Sequence, residues 1–411
     1  MDALRACCAG LDVHQETIVA CILKGPLDRK PVSKVRTFGT TTRELLELRD
    51  WLEDEECVDV AMESTGVLWK PVWNILQDSC ELTLANPGHI RNIPGKKTDV
   101  KDAEWIAQLH RCGLIKASFI PPLPIRQLRD YTRYRRKLIQ QMTQEKNRVH
   151  KLLQDANIKL TTFVSDIFGV SGLRLLNKLI EGEVLEHDDL LQLVKTKLKK
   201  KIPQLIDALN GRFNAHHRKM LQLHLNFIST IQRQIETVEQ EIEQLARPLE
   251  EEIQLLDTIP GIDRSGAIEV LSEIGTDMSA FPTDAHLASW VKVCPGNNES
   301  AGVKKKGKTR KGNKWVKGIL ARGCRAIVYQ KKDCRITEFF QRVKRRQGDA
   351  KAGVATIHLY LRIIHHMLSN KIPYEELGEE YMQEQSRQQV SKLMKQLNRL
   401  GYAVELTPIP A

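Results

Sequence analysis

Short apolar runs alternate with helical patterns through the N-terminal part of the chain. Ala6 to Asp12 and Thr17 to Leu23 have strand length and are joined by the turn Val13-His14-Gln15-Glu16. Lys34 to Phe38 predicts a third strand, Val58 to Met62 a fourth and Glu81 to Ala85 a fifth. Thr41 to Asp54 reads as a helix, with Leu45, Leu46, Leu48 and Trp51 as its apolar face behind a threonine start, and Val67 to Gln77 as another. Strands first, then strand–helix alternation, describe an α/β layer fold.

Beyond Pro121 the pattern changes. Ile125 to Ile158 has no proline or glycine and is rich in Arg, Lys and Gln, which predicts one long helix with a basic face. A second spans Phe213 to Leu249, where Ile228, Ile231, Ile235, Val238, Ile242 and Leu245 step by 3, 4, 3, 4, 3, the spacing of a coiled-coil seam. That seam suits an intramolecular hairpin and a dimer equally well. Leu255 to Ile274 holds Ile259-Pro260-Gly261-Ile262-Asp263-Arg264-Ser265-Gly266 between two apolar helical patterns, the look of a helix–hairpin–helix. Its backbone at Gly261 and Gly266 could approach a phosphate; otherwise it is a tight turn between helices. The tail from Asn370 is polar and helical in pattern until Leu400. The divisions expected are 1–120, 121–250, 251–375 and 376–411.

Charge changes the picture. Lys and Arg total 63 against 51 Asp and Glu, a net +12, which favours a polyanionic partner such as nucleic acid. Aromatics at 5% argue against a binder of single strands that works by stacking. The nine cysteines include no CxxC pair and fit reduced thiols rather than a disulfide framework or zinc site. No apolar run approaches the roughly 20 residues that span a bilayer, and no secretory leader is visible. A cytoplasmic protein without a membrane partner is expected.

Four carboxylates stand out. Asp12 ends the first apolar run, Glu63 follows the fourth, and Asp99 and Asp102 lie three apart in Lys97-Thr98-Asp99-Val100-Lys101-Asp102, one helix face if the segment is helical. Taken singly, each has an ordinary role as a turn or helix cap. Taken together, strand-end Asp, strand-end Glu and a paired Asp-x-x-Asp form the layout of RNase H-like and RuvC-like nucleases. Such a cluster offers the oxygen ligands that Mg2+ prefers, and two ions about 4 Å apart can stabilise both oxygens of a phosphoryl transfer.

A second constellation begins at Pro295-Gly296-Asn297-Asn298-Glu299-Ser300-Ala301-Gly302. It leads into a run with eight basic residues and no acid: Lys304, Lys305, Lys306, Lys308, Arg310, Lys311, Lys314 and Lys317. The run suits several phosphates. Ser300 at its mouth is either a turn residue or a nucleophile whose covalent phosphoserine would conserve the energy of the cleaved bond. No histidine lies nearby in sequence to serve as its base.

In order and context, these motifs resemble the DEDD transposases of bacterial insertion sequences, the insertion-sequence one-ten family, kin of the Piv DNA invertases. The resemblance runs over residues about 8 to 375 and rests on Gly10-Leu11-Asp12-Val13-His14, Glu63-Ser64-Thr65-Gly66, Lys97-Thr98-Asp99 with Asp102-Ala103, Ile259-Pro260-Gly261-Ile262 and the Pro295 to Gly302 segment. It implies a RuvC-like α/β domain, long coiled-coil helices and a mainly helical C-terminal domain with a helix–hairpin–helix. It further implies Mg2+ on Asp12, Glu63, Asp99 and Asp102, and Ser300 as nucleophile in an active site composed from both domains. The implied partners are double-stranded DNA at element ends and target, a structured guide RNA, and further copies of the chain as dimers pairing into tetramers. The helical middle, about 150 to 250, is longer than in short members of the family. Two other readings remain: a junction-resolving nuclease using the carboxylates alone, and an architectural nucleic-acid binder.

Overall fold

The computed structural model describes residues 2–64, 66–90, 102–183, 185–294, 299–300, 303–304, 312–376, 390–391, 393–394, 396–399 and 401. It divides into two compact units, Met1–Ile120 and Pro121–Ala411.

The first unit is built on a five-stranded mixed sheet in the order β3-β2-β1-β4-β5. Strands β1 (Cys7–Val13), β2 (Thr17–Lys24) and β3 (Val32–Gly39) form an antiparallel meander, and β4 (Asp59–Glu63) and β5 (Glu81–Ala85) continue from β1 in parallel. Side-chain alternation divides β1 cleanly. Ala9, Leu11 and Val13 enter one core with Val60 and Met62 of β4, under helices α1 (Thr42–Asp54) and α2 (Trp69–Leu76). Cys8 enters the opposite core, under α4 (Asp102–Arg111), whose Ala103 and Ala107 pack there. Ala61 of β4 faces the same way, with Ile106 and Leu109 of α4. A short helix, α3 (Pro87–Ile90), follows β5. Thr41 caps α1, as its position before the apolar period predicts, but the buried stripe is Leu45, Leu48 and Leu52. Leu46 turns outward because it lies about 100° from Leu45 around the helix.

Small residues let α4 sit low on the sheet. A Cβ on Gly10 would lie 2.3 Å from both the Ala103 carbonyl oxygen and the Ala107 nitrogen. Strand and helix therefore touch backbone to backbone, and only glycine fits there.

The second unit is mostly helical. Helix α5 (Leu123–Asp155) runs antiparallel to α10 (Ala215–Ala246), as paired contacts show: Arg135 with Glu239 at 2.7 Å, Glu145 with His224 at 2.6 Å, and Asp155 with His217 at 3.0 Å. Ile231, Ile235, Val238 and Ile242 of the expected seam are buried within this chain, with Ile228 and Leu245 half-buried. At the far end of the hairpin, α6 (Leu160–Phe163), α7 (Val170–Glu181), α8 (His187–Leu193) and α9 (Ile202–Leu209) close over Val149, Leu153 and Leu221 of the two arms. Helices α11 (Glu250–Asp257), α12 (Arg264–Ile274), α13 (Asp284–Val291), α14 (Lys314–Tyr329), α15 (Arg335–Gln347) and α16 (Asp349–Asn370) complete the unit. Among the described residues no helix is long and apolar enough to cross a membrane.

Candidate active site

In the first unit the sheet places the carboxylates. Leu11 of β1 pairs with Met62 of β4, so Asp12 and Glu63, each the next residue, stand side by side where the parallel strands end. Both share the parity of Gly10 and Ala61, which face α4. Asp102 is the first residue of α4, immediately before the Ala103 that presses on Gly10. The helix runs opposite to β1 and β4, so its first turn meets the strand ends that carry Asp12 and Glu63. Three of the four predicted carboxylates thus share one face and one end of the sheet; Asp99 lies outside the described residues. An acidic residue in the first helical turn is also favoured by the helix dipole. His14 Nε2 lies 3.1 Å from Asp12 Oδ2, a contact that spacing alone does not single out.

Among the described residues no three His, Cys, Asp or Glu side chains converge closely enough to hold a metal ion. The donors on this face are carboxylate oxygens, the chemistry that suits a hard divalent cation. The residues therefore fit such an ion in kind.

The opposite end of α4 carries a different group. His110 is buried, its Nε2 4.0 Å from Asp59 Oδ1, too far for a hydrogen bond. Arg5 takes Asp59 instead, at 3.1 Å, and donates to the His110 carbonyl at 2.7 Å. Burial and the nearby Arg5 guanidinium push the His110 imidazole down to about 4, against the weaker pull of Asp59. It stays neutral and structural.

In the second unit Ser300 lies in β6 (Glu299–Ser300), paired antiparallel with β7 (Val303–Lys304) in the register Ser300↔Val303 and Glu299↔Lys304. Of the predicted phosphate-binding residues, Lys304 is in β7 and Lys314 is the exposed first residue of α14. Lys305, Lys306, Lys308, Arg310 and Lys311 lie outside the described residues. The segment bearing Ser300 leaves α13 and returns at Gly312, and its two ends are held together. A Cβ on Gly312 would sit 2.2 Å from the Val291 carbonyl oxygen, and Lys317 Nζ donates to the Lys292 carbonyl at 2.9 Å. Asn313 caps α14, its Oδ1 accepting from the Trp315 and Val316 amides at 2.9 and 3.2 Å. Its Nδ2 donates to Glu273 Oε2 at 2.8 Å.

Glu273 is 1% exposed and sits on α12. Arg133 of α5 grips it through two nitrogens, at 2.7 and 2.8 Å. Arg129, at 3.7 Å, also donates to the Ser272 and Glu273 carbonyls at 2.9 and 2.7 Å. Burial draws the Arg129 guanidinium down to about 10, and Glu273 opposes that shift. The ring of Trp315 has Lys314, Arg133 and Arg136 cations within 5.2 to 5.5 Å.

The turn between α11 and α12 packs against α14 at its glycine and also lines a cavity with Asp263, Gly266, Arg322 and Lys332. Gly261 takes φ +87°, and a Cβ there would meet the Gly323 carbonyl oxygen of α14 at 2.6 Å. Tyr360 donates to the Pro260 carbonyl at 2.7 Å. The Gly266 amide is taken by Asp263 Oδ1, also at 2.7 Å, which caps α12.

An antiparallel meander continued by parallel strands, with carboxylates at the strand ends and at a helix start, is consistent with an RNase H-like domain of the DEDD type. Comparison with protein families agrees: residues 9–158 match the DEDD transposases of the IS110 type, and residues 253–341 match the transposase IS116/IS110/IS902 family. Together the two matches cover more than half of the chain, which belongs to the IS110-family DEDD transposases, enzymes that act on DNA. A comparison with curated proteins returned no match.

Proposed function

We propose that this transposase cuts and rejoins DNA by transesterification, with Ser300 as the nucleophile and Asp12, Glu63, Asp99 and Asp102 as the ligands of Mg2+. The observation that supports the carboxylate half is the shared face of Asp12, Glu63 and Asp102 at the parallel strand ends. Bound Mg2+ would supply Lewis acidity toward phosphoryl oxygens. Ser300 Oγ attacks the DNA phosphorus and loses its proton. The Oγ–P bond forms as one P–O bond to the sugar breaks, and the departing sugar oxygen takes up a proton. Rejoining runs in reverse: a DNA hydroxyl attacks the phosphoserine and the serine is released, with no ATP needed. Cationic side chains of the run from Lys304 to Lys317 stabilise charge on the phosphoryl oxygens.

In this reading DNA phosphates meet the lysines and the turn of the α11–α12 helix–hairpin–helix at Gly261 and Gly266, which line one cavity with Arg322. The resemblance of the motifs to the family supplies two further parts, a structured guide RNA encoded by the element and assembly into dimers and tetramers. The α5–α10 coiled-coil pair would rigidify each protomer.

A covalent-adduct assay tests the mechanism. Protein, the RNA from the element's noncoding end, Mg2+ and labelled DNA bearing the element–flank junction are combined and resolved on a denaturing gel. A DNA-linked protein band absent from Ser300→Ala and from Asp102→Asn is expected. Nicked DNA without any adduct, unaffected by Ser300→Ala, would identify a carboxylate-only nuclease instead.

A further inference from the structure

The segment that carries Ser300 leaves α13 after Val291 and rejoins the helical body at Asn313, and those two points are its described anchors. One end rests on glycine: Gly312 touches the Val291 carbonyl so closely that no side chain could be inserted. The returning end is held further by one amide. Asn313 uses its oxygen to cap α14 and its nitrogen to reach Glu273. Glu273 is itself immobilised, since Arg133 holds both carboxylate oxygens and Thr132 Oγ1 meets the neighbouring Ser272 hydroxyl at 3.0 Å.

A buried carboxylate costs free energy unless it is paired and hydrogen-bonded. Here it is paired, and the geometry exceeds what neutralising an arginine requires, because Oε2 also receives the Asn313 amide. Helices α5 and α12 are thereby tied through one side chain to the residue at which the serine segment ends. The family motifs do not contain this link, and its members are far apart in sequence.

We propose that Glu273, with Asn313, is a positioning pair for the serine, transmitting the rigidity of the α5–α12 packing to the Ser300 segment. The proposal rests on Ser300 being the nucleophile. Neither residue touches the DNA; the pair acts through the serine's placement. A misplacement of about 1 Å is enough to slow a transesterification on the order of 100-fold.

The two functions of Asn313 can be separated. Asn313→Asp keeps an oxygen for the α14 cap, and its charge favours that helix start. It removes the donor and sets a second carboxylate against Glu273. Asn313→Ser also keeps a capping oxygen while removing the donor, without adding charge. The adduct assay is run on these variants at saturating DNA, with thermal midpoint and DNA affinity measured alongside.

The expected result is a roughly 10- to 100-fold slower adduct in Asn313→Ser and Asn313→Asp with DNA affinity close to wild type; the midpoint stays near wild type in Asn313→Ser and falls in Asn313→Asp, where two carboxylates meet. Wild-type adduct rates in both single variants overturn the proposal. So does an Asn313→Ser protein whose slower adduct is accompanied by an equal loss of DNA affinity. If the wild-type protein nicks DNA without a Ser300-dependent adduct, the nucleophile reading itself has failed and this inference falls with it. That outcome is seen before any pair variant is compared.

Discussion

His110 is the residue whose environment makes the plainest demand. It is buried beside Arg5, and its imidazole is pushed to about 4 from an ordinary 6.5, so the folded chain binds its proton less readily than the unfolded chain does. The associated stability is complete above about pH 6.5 and is lost as pH falls from there toward 4. A difference of this size is on the order of 3 kcal/mol. Thermal unfolding between pH 7 and 4.5 should show a falling midpoint, and His110→Leu should flatten that slope. An unchanged slope would mean that other groups carry the acid sensitivity. Asp12 and Glu63, at the other end of α4, stood out in the sequence because each abuts an apolar run, and Asp102 because of its spacing from Asp99. The Glu273 cluster was not, since Arg133 and Glu273 are 140 residues apart and nothing local marks either one.

Among elements, α4 is tightly constrained by a single position. Its Ala103 and Ala107 lie on Gly10, so a methyl group there must move the helix bodily. Gly10→Ala should cost about 1–3 kcal/mol by overpacking, read in denaturant unfolding, and should displace Asp102 from the strand ends. Asp102→Asn, by contrast, should leave the unfolding midpoint nearly unchanged while abolishing adduct formation; a parallel loss of stability would argue for a capping role alone. The five strands were legible because their apolar residues gather in runs of strand length, and α5 and α10 because their patterns are long. What covers the α10 seam was not legible: a heptad stripe fits a neighbouring helix of its own chain or of another, and only α5 lying antiparallel decides for the former. Helices α6 to α9 went unread because each is short and their apolar residues meet only in three dimensions.

At the scale of the whole molecule, charge and family point to the same partner. A net +12 with a basic run beside the serine predicts that log affinity for DNA falls steeply and linearly with log salt. Replacing Lys304, Lys314 and Lys317 together by Gln should lower that slope by up to about 3, measured by titration at several salt concentrations. An unaltered slope would place the phosphate contacts elsewhere. The excursion between the arms of the long hairpin begins and ends at one place: the Arg212 amide donates to the Ala156 carbonyl at 2.9 Å, and Asp155 meets His217 at 3.0 Å across the same junction. A chain that leaves and returns through neighbouring residues can gain or shed what lies between without redirecting either arm. Length differences among relatives are thus expected to concentrate there, and the same junction offers a port for grafting a reporter or tether far along the chain from every motif of the reaction.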